Sequence, residues 1–345
     1  MSNRVYWAVQ ACGLAPQSTD NYVTVRGGQT LSLTTAFNLE QVKELGQLAI
    51  YQNVETIPDV QMTVERVLDG YPLAVHLATR GATSRTLGAM GTRKCNAAVS
   101  IYDDSQEAAS GVPVTQLAMS GMFLSAFTYT FPSEGNCTES VTLVGQNRIW
   151  KSSGFTFQPT AFDTTDSPLA LASGWGGVQR RQNVLFAPRG ANSAYTILPG
   201  GTNGIPGISS SGTNNLVADV YGAHISNITV STDLGRDAVN ELGRRSPYFR
   251  FINFPVDITT DIEVITTQGD MVSATEEGYL GSGLNLAEKR IRICTEEGTT
   301  IDLGTKNKLS NIQYGGGDTG GGQATVTYTY VTQNTCSITH PSDPG

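Results

Sequence analysis

The chain has 345 residues, enough for about two domains of ordinary size. Only 15% of them are charged, which excludes disorder driven by self-repulsion, and the formal net charge of −8 argues against a protein that holds nucleic acid by neutralising phosphates. No run of 18 apolar residues occurs, so no membrane helix is expected, and MSNRVYWAVQACG lacks the long apolar core of a secretory signal. Without secretion the sequons at Asn136 and Asn227 carry no meaning.

In chain order, RVYWAVQA at 4–11 reads as a short strand, and the Gly, Pro, Ser and Asp of 12–20 as a loop or arm. Residues 22–26 and 30–36 alternate as strands. Asn38 followed by Gln41 resembles a capping box. It predicts a short helix over 39–45 with Leu39, Val42 and Leu45 on one face and Gly46 as its stop. VQMTVERVL at 60–68 reads as a strand ended by Asp69-Gly70, and YPLAVHLAT at 71–79 as a second short helix. Strands follow at 95–102, 122–131 and 139–144. The middle, about 152–220, is rich in Gly, Ser, Asn and Pro. It reads as a bridge whose Phe155, Phe157, Trp175 and Phe186 dock against something. HISNITVST is then a strand, Asp233 caps an expected helix over 234–242, and strands follow at 258–265, 289–295, 309–314 and 323–331. GGGDTGGG at 315–322 reads as a flexible hairpin loop between the last two.

Two stretches repeat. VKELG holds Leu45-Gly46 and VNELG holds Leu242-Gly243. Tyr51 and Tyr248, then Pro58 and Pro255, keep the same spacing. AFTYTF at 126–131 parallels TVTYTY at 325–330, and Cys95 and Cys137 parallel Cys294 and Cys336. The series predicts one β-rich unit present twice, about 28–145 and 223–340. The four cysteines read either as thiols at equivalent core positions or as one disulfide per copy. Cytosolic synthesis favours thiols, each pair on neighbouring strands. Cys12 has no counterpart.

Catalysis has little support. His76, His224 and His340 are far apart in sequence and form no zinc motif, and GISSSG at 207–212 has the wrong spacing for a nucleophile elbow. The run 315–322 lacks the Lys-Ser/Thr of a phosphate loop. Asp257 with Asp261, and Asp103 with Asp104, are the carboxylate pairs that could serve glycosidic hydrolysis, although solvated or interface edges account for them as well. Arg180, Arg181, Arg244, Arg245 and Arg250 are basic spots in an acidic chain. They read as interface salt bridges, intrachain pairs or, least of all, a nucleic-acid contact. No catalytic, cofactor-binding or metal-ligating residue is expected.

VYWAVQACG, IYQNVETIPDVQMTVERVLDGYP at 50–72, FTYTFPSEGNCTESVTLVGQNRIW at 127–150 and the ending from 312 to 345 resemble the major tail tube proteins of tailed bacteriophages, in a long two-domain form. The resemblance implies a mainly β (α+β) fold with two related β-sandwich-like tube domains, each flanked by a short helix. Joined around a ring, their sheets would form a β-barrel lumen. On that reading 1–27 is an N-terminal strand and arm, 28–151 and 223–345 are the tube domains, and 152–222 bridges them. Expected partners are further copies of the chain in stacked rings, three chains giving a pseudo-sixfold ring or six chains with the second domain outside. DNA and the tape-measure protein would pass unbound through the lumen, and sheath, baseplate and tail terminator proteins would lie alongside. The expected location is the virion tail, assembled in the host cytoplasm, with no membrane contact. The alternatives are a decoration or baseplate ring protein, and a carbohydrate-binding or depolymerising tail protein. The last would need aromatic platforms, and Trp7, Trp150 and Trp175 are scattered.

Overall fold

The computed structural model describes residues 4–105, 107–108, 111–159, 177–185, 224–244, 247–265, 286, 288–316 and 323–345. The described chain opens with a 3-10 turn at Trp7–Val9, and strand β1 runs Gln10–Pro16. The strand expected at 4–11 therefore starts later and takes over half of the expected loop, because Ala11, Leu14 and Ala15 are buried there. Strands β2 (Val23–Thr24), β3 (Gly28–Ala36), β4 (Leu39–Lys43), β5 (Ile50–Glu55) and β6 (Asp59–Val67) follow. Two five-residue helices, α1 (Ala74–Ala78) and α2 (Leu87–Gly91), precede β7 (Lys94–Ile101), β8 (Thr115–Pro132), β9 (Thr138–Gly145) and β10 (Asn147–Lys151). Beyond them lie β11 (Val184–Leu185), β12 (His224–Asp233), β13 (Arg236–Val239), β14 (Phe249–Ile252), β15 (Asp257–Ile265), β16 (Arg292–Thr295), β17 (Thr300–Asp302), β18 (Lys308–Gly315), β19 (Thr325–Gln333) and β20 (Ser337–Thr339). The fold is mainly β, as expected.

Both helices expected beside the repeated Leu-Gly are absent. In their place stand antiparallel hairpins, β4–β5 pairing Leu39 with Glu55 and β13–β14 pairing Arg236 with Ile252. Asn38 caps nothing. Its amide donates to the Ile57 carbonyl and to Asp59, and its carbonyl accepts from Thr56, so it staples the base of the hairpin. Asp233 likewise accepts from the Gly235 N–H, turning the chain into β13. Gly46 and Gly243 sit at positive φ, 94° and 80°, where glycine avoids a steric penalty. The helix expected over 71–79 is present as the shorter α1.

Alternation decides the rest. Along β15, Ile258, Thr260, Ile262 and Val264 are buried and the intervening residues are not; β19 buries Val326, Tyr328, Tyr330 and Thr332 in the same way. The sheet order β3-β6-β9-β8 is matched by β12-β15-β19-β18, and the pairs at every step are antiparallel. The hairpins β4–β5 and β13–β14 each follow the first strand of their run in chain order. Each run also interrupts its last ladder at a serine, between Leu124 and Ala126 in β8 and between Leu309 and Asn311 in β18.

This matching overturns two expectations. AFTYTF lies on β8 and TVTYTY on β19, so β8 corresponds to β18 and the two motifs are not equivalent. The cysteine pairs are not on neighbouring strands either. Cys95 pairs opposite Met122 on β8, whereas Cys137 adjoins Thr138, opposite Thr130 on the same strand. At roughly 3.3 Å per residue that places them more than about 20 Å apart. β17 lies between Cys294 on β16 and Cys336 beside β20. All five cysteines are free thiols.

The two runs join through β8 and β12, from Asn227 opposite Pro132 to Asp233 opposite Ala126. The first part of β8 has other neighbours, β7 and β10, and β7 carries β1 and β2 onward. Helix α1 packs on β1, β7, β8 and β9, and a small sheet β11-β16-β17-β20 adds Ile293, Ile301 and Ile338 to the same core. Phe157 of the bridge is buried against Tyr22, Val9 and Tyr102, so that part of the bridge docks on its own chain. Trp175, Phe186, GISSSG at 207–212, Arg245 and most of the glycine run lie outside the described residues.

Candidate assembly surfaces

A sheet packed on one face exposes its other face and its edges. The face of the two runs turned away from the core carries Thr30, Ser32 and Thr34 of β3; Asp59, Gln61, Thr63 and Glu65 of β6; and Ser140 and Thr142 of β9. It continues through Thr128 and Thr130 of β8, Thr229, Ser231 and Asp233 of β12, Thr259, Asp261 and Glu263 of β15, and Thr327 and Thr329 of β19. Its charged side chains are thus acidic, with Lys308 at the far end of β18 the exception among the described residues. The hydroxyls bond within the surface: Thr63 to Thr142 at 3.1 Å, and Thr329 to Asp261 at 2.6 Å.

The outer edges are β3, which pairs with β6 alone, and β18, which pairs with β19 alone, among the described residues. Each offers a row of N–H and C=O groups to a further strand.

The two hairpins differ in setting. β13–β14 lies on the first run of its own chain. Phe249 meets Phe123 edge-on at 4.9 Å, and the Lys94 ammonium stands over both rings. Arg236 donates to the Leu124 carbonyl at 2.8 Å and to the Arg250 carbonyl at 3.0 Å, and Arg250 pairs with Asp59. Burial, and then the nearby Arg250, pull Arg236 down to about 10. Ile252 packs against Gly91, where a Cβ would come within 1.8 Å of it. In contrast β4–β5 is exposed along its whole length. Matching positions of both hairpins leave apolar side chains in solvent: Val42 and Val239, Leu45 and Leu242, Tyr51 and Tyr248, Val54 and Phe251.

The residues singled out for chemistry separate in space or serve the fold. Asp257 and Asp261 share a face of β15 four residues apart, about 13 Å, too far for paired carboxylates on one glycosidic bond. Asp257 accepts from Gln333 and Asp261 from Thr329. Asp103 closes a turn on Ser105, whose hydrogen bonds hold its carboxyl below the usual range. The basic spots make contacts within the chain: Arg180 with Asn136, Arg244 with Glu241, Arg250 with Asp59. Sequence separation concealed one grouping. His76 and His340 meet beside Asp343, which pairs with Arg85, and His76 lies 3.0 Å from the Ile338 carbonyl. Burial pulls both imidazoles below their ordinary value, His340 down to about 3. Among the described residues, no three His, Cys, Asp or Glu are placed to share a metal ion.

No known family profile matches the chain, and no curated protein does. Among solved structures, it is similar over 44% of its length to a protein of the anti-feeding prophage baseplate, covering 98% of that chain at 14% identity and a TM-score of 0.33. It is similar over 44% to a protein of the anti-feeding prophage tube-terminating cap, with 10% identity, 94% of that chain and a TM-score of 0.33. A third likeness, again over 44%, is to a protein of the sheath-tube complex of an extracellular contractile injection system, with 9% identity, 93% of that chain and a TM-score of 0.33.

Proposed function

We propose that this chain is a structural subunit of a bacteriophage tail tube, joining edge to edge with its own copies into stacked rings. The observation that carries the reading is the junction of β8 with β12. It sets two runs of the same order side by side in one sheet and leaves the corresponding outer edges, β18 and β3, without partners among the described residues. Repeating that junction between chains pairs β18 of one copy with β3 of the next. A repeated rotation that divides a full turn closes a ring and removes both of these open edges. Three chains then supply six units. On this reading 28–151 and 223–345 are the two tube domains, 152–222 bridges them, and 1–27 is the arm.

The acidic, hydroxyl-rich face becomes the lumen wall. It repels phosphates, so DNA and a tape-measure protein pass without being held. The apolar residues exposed alike on both hairpins are covered when rings stack. The role is structural rather than catalytic, and its place is the virion tail.

Electron microscopy of the purified protein tests this. The expected images are rings of three chains with a six-unit cross-section that stack into hollow tubes. Six chains around the axis would overturn the stoichiometry, and compact monomers at every concentration would overturn the function.

A further inference from the structure

We propose that the exposed hairpin β4–β5 is a strap that lies across the second run of a neighbouring copy of this chain, seated on Lys308, Leu309 and Asp257. The proposal rests on the ring reading above and adds a contact that edge pairing alone does not require.

The template lies within the chain. When β12 pairs with β8, the hairpin that follows β12 is carried onto the first run, where it meets Phe123, Leu124 and Asp59. If β3 pairs in the same way with β18 of another copy, the hairpin that follows β3 is carried onto that copy's second run. The matched bulges and burial patterns fix the landing residues. Leu124 corresponds to Leu309, both buried just before the bulge; Phe123 therefore corresponds to Lys308; and Asp59, one residue before the first buried position of β6, corresponds to Asp257. On the hairpin, Phe249 corresponds to Gln52 and Arg250 to Asn53.

Two observations fit a vacant seat. Phe123, under its hairpin, is 4% exposed, whereas Lys308 lies open, as does all of β4–β5. The surfaces also complement each other in charge. The hairpin carries Glu40, Glu44 and Glu55 against Lys43, and the landing face offers Lys306 and Lys308. Asp257 would meet Asn53, whose amide can donate to a carboxylate.

The test uses the full chain with a benzophenone amino acid in place of Gln52, mixed with isotope-labelled wild-type chain before assembly. Irradiation should link position 52 to 306–309 or to Asp257 of the labelled chain. The same group in place of Phe249 should link within its own chain, near Phe123. If rings form but position 52 links only to its own chain, or only to a hairpin of another copy, the strap is overturned and the ring reading stands. If wild-type chain forms no rings, both fall. A second variant covers the case where the probe itself blocks assembly. Asn53→Arg recreates the pairing of Arg250 with Asp59 and should lower the concentration for half-assembly about threefold, a gain that Asp257→Asn removes. An unchanged threshold would overturn the strap.

Discussion

Arg66 is fully buried, and its guanidinium is satisfied locally: it donates to the carbonyls of Val67, Tyr71 and Pro72 and pairs with Asp69. Glu139 lies 3.9 Å from it and accepts from the N–H groups of Ala74 and Val75 and from the Tyr129 hydroxyl. Truncating one partner strands the other in the interior. Glu139→Ala should therefore cost about 3 kcal/mol or more, read from the urea midpoint; a loss below about 1 kcal/mol would contradict the network. The histidines make a pH prediction. Both have depressed values in the fold, so below 6.5 the unfolded chain takes up protons that the folded chain refuses. Their contribution is complete above pH 6.5 and is lost as pH falls, for His340 about 2 kcal/mol between pH 6.5 and 5. Glu297 acts in the opposite sense. Burial raises it to about 7, so its contribution is lost as pH rises from 4.5 to 7. In Glu297→Gln, stability should fall steadily from pH 7 to 5, and adding His340→Gln should make the fall shallower. Parallel curves would show that His340 is not the titrating group.

At the scale of elements, the hairpins show where sequence reasoning stops. Alternation located β6, β15 and β19 because a half-buried strand must place apolar groups at every second residue. The spacing of Leu39, Val42 and Leu45 matched a helix. That inference assumes apolar residues face the chain's own core, yet Leu45 and Leu242 are each 104% exposed at hairpin tips. Residues that no part of their own chain covers obey no internal period. The meeting of His76 with His340 and the inequivalence of the two threonine-tyrosine motifs were equally hidden, since long-range pairing sets both. Docking of β13–β14 can be measured directly. A double-mutant cycle with Phe123→Ala and Phe249→Ala should give a coupling of about 1 kcal/mol. Additive losses would mean that the rings do not act as a pair.

For the whole molecule, the intrachain junction predicts the register between chains. Thr128 sits opposite Ser231, and their counterparts are Gln313 and Thr34. Cysteines placed at Gln313 and Thr34 should form a disulfide between chains in assembled rings. The same substitutions moved one residue along either strand should not, because a one-residue slip turns side chains to the opposite face. Equal yields from both would refute the register. The native thiols should not interfere, because Cys95, Cys137 and Cys336 are pushed up to about 12 by burial.

One strand would give the proposed assembly a mechanical property. β8 runs from Thr115 to Pro132 through a positive-φ glycine at Gly121 and the irregularity at Ser125, bonded early to β7 and β10 and late to β9 and β12. The two parts of the sheet are therefore tied by continuous backbone as well as by the shared core. A load applied to the outer part pulls its ladders in shear, where many hydrogen bonds resist together, and a displacement there is passed to the proposed lumen wall. The crossing falls near Phe123 and Leu124, the seat of the second hairpin. A push on that hairpin would thus act on the wall as a lever acts at its pivot.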